Sequence, residues 1–412
     1  MSTTVPGSKN IRLLGNFDLN GFGNGGQVTV ARRGSDYYAF IGHMQGMGTS
    51  IVNVTDPKKP KMISQITAPE NTHSHKVRVC GDVMLINNER LSGKTWEAGL
   101  RIFDISNLAK PIESSFFQTS GKGVHRFWVD CDKRLAYIST EMEGYLNAIF
   151  VVVDFSNTRK PREVSKWWLP GQWTEGGEKP SWDTSKHSYR HHHPIVLGNR
   201  AYLGYWDAGF IILDISDIKK PRFVSKCDYS PAYGGVFHTA LPVDRPILGR
   251  RWMIGFQESI APPRKEGKKL MWVIDITAEE NPVSVATFDV PVENPDKIDE
   301  TFGPHQPFED VHLKDNLVYA SWFGGGLRII DVSNPYQPVE VGHFLPKCDS
   351  QKMVQTNDVF VDDRGLIYTI DRLERGLDIL EFTGPRLTSA RAHSSCSYSP
   401  TAPASTASCT SP

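Results

Sequence analysis

Histidine recurs at one position of a repeated strand-like segment in this chain. The segments HKVRVC, HRFWVD, HHPIVL and HTALPV start at His75, His125, His192 and His238, respectively. Neutral imidazole is a common ligand of zinc, copper, iron and nickel. A single histidine on a strand usually has a structural role, but four at equivalent positions meet no packing need that we can identify. The sequence therefore predicts that these four side chains bind one divalent transition metal.

Alignment of the next repeat places a carboxylate beside these imidazoles. Glu309 takes the equivalent position there, and we expect it to be a fifth ligand or a proton acceptor next to the metal. Register alone selects His192 within the histidine run, so His191 or His193 could take its place. His305 lies in the loop just before Glu309 and could cap the site.

A repeated phrase sets the register of these segments. Each copy has a β-branched run, an acidic residue or asparagine, a Ser/Thr/Asn turn and a proline, and the copies lie about 50 to 61 residues apart, as propeller blades do. Each unit contains four short strand-like segments without helical periodicity between them. The sequence therefore predicts an all-β, seven-bladed β-propeller whose inner strands line a central channel. The anchor residues are Asn53, Asp104, Asp154, Asp214, Asp275, Asp331 and Glu381.

The chain start explains how the ring would close. The segment IRLLGNFDL (Ile11–Leu19) resembles the fourth strand of a repeat, whereas the last repeat ends after its third strand, LDILEF. We expect the N-terminal strand to complete the seventh blade and to cover its edge. The predicted domains are therefore an N-terminal extension (1–10), the propeller (11–385) and a disordered Ser/Ala/Thr/Pro-rich tail (386–412).

Polar and aromatic residues at the ends of the second strands should lie at the same face as the histidines, because neighbouring strands run antiparallel. Glu141 and Arg372 are predicted catalytic residues beside Glu309, with Glu141 as a proton acceptor and Arg372 as the partner of a carboxylate or phenolate group. Acidic residues here could also orient metal-bound imidazoles. The predicted substrate pocket comprises Glu89, Tyr205, Trp206, Asp207, Glu258, His305 and Trp322.

The phrases IIDVSNPYQPVEVG and ILDISDIKKPRFVS resemble the LVIVD-repeat family, and the likeness covers about residues 11–384. This resemblance implies a β-propeller and says little about activity. In site layout alone, four axial histidines with outer carboxylates are similar to carotenoid-cleavage-type oxygenases, in which a seven-bladed propeller holds non-haem iron. None of the sequence motifs of those oxygenases is present.

We therefore expect a metal-dependent enzyme. The first interpretation is a non-haem metal oxygenase or oxidoreductase that acts on a small aromatic molecule, with iron favoured and manganese, zinc or copper as alternatives. A zinc- or manganese-dependent hydrolase or lyase fits the same ligands. A third interpretation is a non-catalytic propeller scaffold with a structural ion in its channel.

Composition narrows the class of partner. Lys+Arg and Asp+Glu both number 46 in the 412 residues, so no overall charge favours nucleic acid or an anionic membrane, and a small-molecule substrate is expected. No segment has the features of a signal peptide or a membrane span, which predicts a cytoplasmic location. The six cysteines form no CxxC pair, which predicts free thiols rather than a zinc site or a disulfide framework. The oligomeric state stays open.

Overall fold

Seven antiparallel sheets follow one another along the part of the chain that the structure describes, and each sheet corresponds to one sequence repeat. The computed structural model describes residues 7–44, 46–92, 98–230, 232–292, 295–347 and 354–385. Strand makes up the regular structure of these residues, apart from two 3-10 turns at Leu19–Gly21 and Pro295–Lys297. The predicted all-β, seven-bladed β-propeller is confirmed.

In each of blades one to four, the first strand lies at the channel and the last strand lies at the outer edge. Their strands are β3 (Gly25–Arg33), β4 (Asp36–His43), β5 (Thr49–Asn53) and β6 (Lys61–Ile66); β7 (Thr72–His73), β8 (Val77–Cys80), β9 (Val83–Arg90), β10 (Gly99–Asp104) and β11 (Ile112–Gln118); β12 (Val124–Asp130), β13 (Leu135–Glu141), β14 (Ala148–Asp154) and β15 (Arg162–Trp167); and β16 (His193–Leu197), β17 (Arg200–Gly204), β18 (Phe210–Asp214) and β19 (Arg222–Cys227).

Blades five to seven continue this order, and two strands from the chain start join the last two blades. Their strands are β20 (Phe237–Pro242), β21 (Trp252–Gln257), β22 (Met271–Asp275) and β23 (Val283–Phe288); β24 (Leu317–Ser321), β25 (Leu327–Asp331), β26 (Val339–Leu345) and β1 (Gly7–Lys9); and β27 (Thr356–Val361), β28 (Leu366–Asp371), β29 (Leu377–Phe382) and β2 (Ile11–Phe17).

The N-terminal strand closes the ring as predicted. β2 pairs antiparallel with β29, so that Ile11 lies opposite Phe382 and Phe17 opposite Leu377. The segment Gly7–Lys9, which the sequence analysis placed in an extension before the propeller, pairs with β26 and adds an outer strand to blade six. The chain start therefore spans two neighbouring blades.

In blades one to six, the repeated phrase forms the turn that ends the third strand. Its acidic side chain accepts a hydrogen bond from the backbone N–H two residues later, as in the pairs Asp154–Ser156 and Asp214–Ser216, both at 2.8 Å. Such turns bend the chain toward the fourth strand without using a ladder hydrogen bond. The phrase is therefore part of the outer scaffold rather than of the site.

Each blade packs its apolar residues against the next blade. Seven clusters of buried residues are present, and each joins neighbouring sheets; Leu100 and Val151, for example, belong to the cluster between blades two and three, and Phe237 and Tyr202 to that between blades four and five. Because β-branched side chains suit a pleated, half-buried surface, these runs form the blade faces. The core is thus a ring around a polar channel.

Two of the cysteines depart from the prediction of free thiols. Cys80, at the end of β8, and Cys131, just after β12, form a disulfide with a Cα–Cα distance of 5.3 Å. No spacing motif in the sequence predicts this bond, because the two residues come together only when blades two and three pack side by side. Cys227 is a free, buried thiol, while Cys348, Cys396, Cys409 and the predicted tail 386–412 lie outside the described residues. Within the described ranges, no helix is long and apolar enough to cross a membrane.

Candidate metal centre

In blades one, three, five and seven, a bulge near the start of the inner strand leaves one residue unpaired at the channel. In blade three, the pairing of β12 with β13 passes directly from Val124 to Arg126 and leaves His125 unpaired. The same shift skips His238 in blade five. Bulges of this kind re-aim a side chain and are frequent beside functional sites. The equivalent residues of blades one to seven are Gly26, His75, His125, His192, His238, His305 and Asn357.

Five consecutive blades therefore present histidine at this position, and the five rings form an arc. Neighbouring ring centroids, taken in blade order from His75 to His305, lie 4.8, 4.6, 4.3 and 4.6 Å apart. The first four members are the residues that the sequence predicted as metal ligands. The fifth differs, because His305 occupies the place in blade six that the sequence assigned to Glu309.

The possible donor atoms around the arc fall into two groups, and each contains one carboxylate. Within each group the donor atoms all lie within 4.8 Å of one another. Glu89 lies on β9 and Glu258 follows β21, so both are at the end of a second strand, where the sequence analysis placed them. The first group is His73, His75, His125 and Glu89, and the second is His192, His238 and Glu258.

Hydrogen bonds leave ring nitrogens free in these groups. The hydroxyl of Thr239 donates to Gln306 (3.2 Å), so it accepts from Nδ1 of His238 (2.6 Å), and Nε2 of His238 keeps its lone pair. Glu89 accepts from Nδ1 of His125 at 2.6 Å, which leaves Nε2 of His125 to face Nε2 of His192 at 2.9 Å. Partners that fix the tautomer in this way are characteristic of metal-binding histidines.

His305 is the exception in the arc, since both of its ring nitrogens are occupied. Nδ1 donates to the carbonyl oxygen of Asn357, and Nε2 accepts from the Arg126 guanidinium at 3.0 Å. His305 therefore fixes Arg126 beneath the arc rather than offering a lone pair to a metal. The sequence predicts that His305 caps the site, and the structure places its ring 4.6 Å from that of His238.

Burial keeps the imidazoles neutral. Desolvation lowers the pKa of His125 to about 4 and holds the pKa of His192 and of His238 well below the ordinary value. Burial acts to raise the pKa of Glu89, but electrostatic attraction to His125 and the hydrogen bonds from His125 and His73 outweigh it and hold the pKa well below its usual range. Neutral imidazole and ionised carboxylate are the forms that bind metals.

Burial is also the largest influence on the pKa of Glu258. It raises the pKa of Glu258 although the cations of Arg372 and Arg126 oppose the shift. The carboxylate lies 3.9 Å from Nε2 of His192 and 4.0 Å from Nε2 of His238. A cation between these atoms would stabilise the ionised form of Glu258.

Glu309 lies in the layer beneath the arc and is committed to other partners. It accepts from Nζ of Lys76 (2.7 Å) and Nε2 of Gln306 (2.7 Å), contacts Nε2 of His193 (2.8 Å) and pairs with Arg78. The structure does not group Glu309 with the predicted histidine ligands. The inner segment of blade six is irregular: an isolated bridge between Pro307 and Ala320 joins it to β24, so the sequence pattern there does not distinguish the inner strand from the acidic run that follows it.

Three other predicted residues also lie away from the two groups. The carboxylate of Glu141 accepts from the backbone N–H of Lys122 (3.0 Å), and Asp207 accepts from that of Ser188 (2.7 Å). Tyr205 is fully buried in a blade core. These contacts give all three a structural role.

The ring of Trp322 is likewise buried, in the apolar cluster between blades five and six. It belongs to the scaffold that supports the centre and does not line the space above the histidines.

Two predicted rim residues do lie beside the centre. The ring of Trp206 is 6.1 Å from that of His192, and the guanidinium of Arg190 lies 4.7 Å above it. Arg372 lies 3.9 Å from Glu258 and 4.6 Å above the ring of Phe323. Aromatic faces with two guanidinium groups thus surround the second group of donors.

Sequence reasoning assigned no role to His73, Lys76 or Arg126. Lys76 and Arg126 directly follow the bulge histidines, so a search one position further along each inner strand would have found the polar layer beneath the arc. His73 lies two residues before His75, and alignment of the repeats selects only His75 for the site. No sequence signal separates the two donor groups.

Comparison with known proteins agrees with this fold. The model for the LVIVD repeat matches residues 95–119, 195–229 and 308–345. The chain carries LVIVD repeats. These LVIVD matches fall in blades two, four and six, and the same phrase recurs in the blades between them. No match was found among curated proteins.

Solved structures show the same fold at low identity. The chain resembles the structure of U3-55K (TM-score 0.56, 10% identity, 90% of this chain and 98% of that one) and a protein from Lactobacillus plantarum (0.56, 10%, 78% and 84%). The computationally designed Ika8 protein is also similar (0.50, 8%, 90% and 99%). At such identity the likeness of this chain to these structures concerns the propeller fold alone.

Proposed function

We propose that the protein is a metal-dependent oxidoreductase that binds non-haem iron through His192, His238 and Glu258. The observation that carries this proposal is a buried set of two imidazoles and one carboxylate, with donor atoms within 4.8 Å of one another. Two histidines and one carboxylate with open positions are typical of non-haem iron(II) oxygenases. Iron would supply the capacity to bind and activate O₂; manganese, zinc and copper can bind the same donors.

The surrounding residues define the class of substrate. Trp206 and Phe323 offer aromatic faces, while Arg372 and Arg190 lie within reach as cations. Such a surface suits a small aromatic molecule with a carboxylate or phenolate group, which Arg372 would orient. Thr239 holds His238 in the tautomer whose Nε2 can bind metal.

A hydrolytic or lyase reaction is the second candidate, and the state of Glu258 favours it. Burial raises the pKa of this carboxyl group, and a carboxyl tuned upward can exchange protons near neutral pH. In that case zinc or manganese would be held by the histidines and Glu258 would act as the general base.

The disulfide is informative about the cellular compartment of the protein. Disulfides persist mainly where thiols are oxidised, and they are rare in cytosolic proteins. The Cys80–Cys131 bond therefore favours an oxidising compartment over the cytoplasmic location expected from the sequence.

The first experiment measures metal uptake and needs no knowledge of the substrate. Chelator-treated protein is loaded with iron(II) without oxygen and exposed to nitric oxide, which binds iron(II) where O₂ would. We expect a high-spin iron–nitrosyl signal in electron paramagnetic resonance. His238→Ala and Glu258→Gln should lower iron affinity by on the order of 10-fold or more, because each removes one donor.

The control is His312→Ala, since the side chain of His312 is exposed and its ring contacts Asp244, which belongs to neither donor group. This variant should bind iron like the wild type. Iron content that is unchanged in a His192→Ala, His238→Ala double variant would contradict the proposal. Uptake of zinc or manganese but not iron, without a nitrosyl signal, would favour the hydrolytic candidate.

A further inference from the structure

We infer that His73, His75 and Glu89 bind a second metal ion, and that His125 lies between the two ions. The inference rests on the proposed function, because it adds an ion to the centre proposed there. It would make the site a two-metal centre built from four neighbouring blades, two through five.

The geometry of the first group carries the inference. Its possible donor atoms lie within 4.8 Å of one another, and the rings of His73 and His75 are 4.7 Å apart and nearly perpendicular. Without His125, the first group consists of two imidazoles and one carboxylate, which is the composition of the second group. Nitrogen and carboxylate oxygen bind a transition ion at about 2.0–2.2 Å, so donors within 4.8 Å can converge on one ion with small side-chain movements.

Unsatisfied atoms point to a missing partner in the same place. Nε2 of His75 and Nδ1 of His73 are buried and have no hydrogen-bond partner among the described residues. The side-chain amide of Asn87 approaches His75, but it also donates to the carbonyl oxygens of Val124 and His125 at 3.0 and 3.1 Å. A buried polar atom without a partner is destabilising, and a bound cation would supply the missing partner.

The position of His125 links the two groups. Its Nδ1 is 2.6 Å from Glu89 of the first group, and its Nε2 is 2.9 Å from Nε2 of His192 in the second group. No other side chain among the described residues is recorded in contact with both groups through opposite ring nitrogens. An ion bound in one group would therefore interact with an ion bound in the other group through the imidazole of His125.

The charges allow two cations. Each group supplies one carboxylate, so the repulsion between two dications is reduced on both sides. Glu89 is buried: its side chain is 11% exposed and the whole residue 9%. Its carboxylate already accepts two imidazole N–H groups, from His73 and His125. In two-metal centres, both ions face the same substrate and share the charge that develops on it. A second ion here would extend the substrate-binding surface toward blade two.

The test is the metal stoichiometry of the whole protein. Chelator-treated protein is dialysed against cobalt(II) without oxygen, and bound cobalt is measured against protein concentration by elemental analysis. We expect two equivalents in the wild type, one in His75→Gln or Glu89→Gln, and one in His238→Gln. His312→Ala should keep two.

A second measurement avoids reliance on variants that could fold poorly. Anomalous scattering from a cobalt-loaded crystal of the wild type should show two peaks, one beside Glu89 and one beside Glu258. One equivalent of cobalt that depends on His238 and not on His75 would overturn the second ion and leave the proposed function intact. Wild-type protein that binds no metal would overturn both.

Discussion

Glu309 provides a sharp test of the polar layer beneath the histidine arc, and the perturbation is Glu309→Gln. The substitution keeps the size of the side chain but removes its charge. In the native protein Glu309 neutralises Lys76, which has no exposed side-chain area, and Arg78, which is 18% exposed. Without the carboxylate, Asp358 is the nearby acidic group that still acts on these cations.

The expected loss follows from the burial of the pair. Removing one partner of a buried ion pair costs about 3–5 kcal/mol because the other charge stays desolvated. Unfolding entropy is about 2.1 cal/mol/K per residue, or roughly 0.8 kcal/mol/K for a propeller that spans 11–382. The midpoint of thermal unfolding should therefore fall by about 4–6 °C. Differential scanning calorimetry measures the shift, and elemental analysis measures the metal.

Metal content decides between two roles of Glu309. The structure predicts unchanged metal, because Glu309 contacts no member of the two donor groups in the described contacts. The matched variant Lys76→Met, Glu309→Gln should recover a large part of the lost stability, since it removes the stranded charge as well. A Glu309→Gln protein with an unchanged unfolding midpoint and less metal would refute this reasoning and restore Glu309 as the ligand predicted from the sequence.

Two further predictions concern closure and pH. Deleting residues 1–19 should cause aggregation in size-exclusion chromatography, because it exposes the edge of β29, while deleting 386–412 should leave elution unchanged; a soluble 20–412 fragment with wild-type elution would contradict the closure. In the metal-free protein, burial lowers the pKa of His43 to about 4, so the unfolded chain takes up a proton below about pH 6.5 that the folded chain excludes, and stability is lost as the pH falls. Between pH 7.5 and 5 this residue should lower the free energy of unfolding in urea by about 2 kcal/mol, and His43→Gln should flatten the dependence by that amount; an unchanged slope would show that His43 is not the cause.

Much of the propeller architecture could be predicted from the sequence because each blade carries one copy of the repeated phrase. The turn after each third strand needs an acceptor such as Asp214 two residues before the turn N–H, so the phrase recurs and counts the blades. The same repetition indicated the register of His75, His125, His192 and His238, which the structure places at equivalent positions of the blades; at His125 and His238 the position is a bulge.

The rest depended on contacts between blades. In blade six the inner segment pairs irregularly with β24, and the correct position, His305, could not be told from Glu309 by alignment. The disulfide joins Cys80 and Cys131 across a blade boundary. The division of the donors into two groups depends on ring orientation, which is set by partners such as Thr239 rather than by spacing.

The pairing of the first strands with the last ones has a consequence during synthesis. β2 leaves the ribosome early, but its partner β29 is made about 360 residues later, which takes roughly 20–70 s at 5–20 residues per second. During that interval the first six blades can form in order, while the strand that will close the ring has no place to bind. Complete translation is therefore the event that permits closure, and a ribosome that stalls before Leu377 would release an open arc with two unpaired edges.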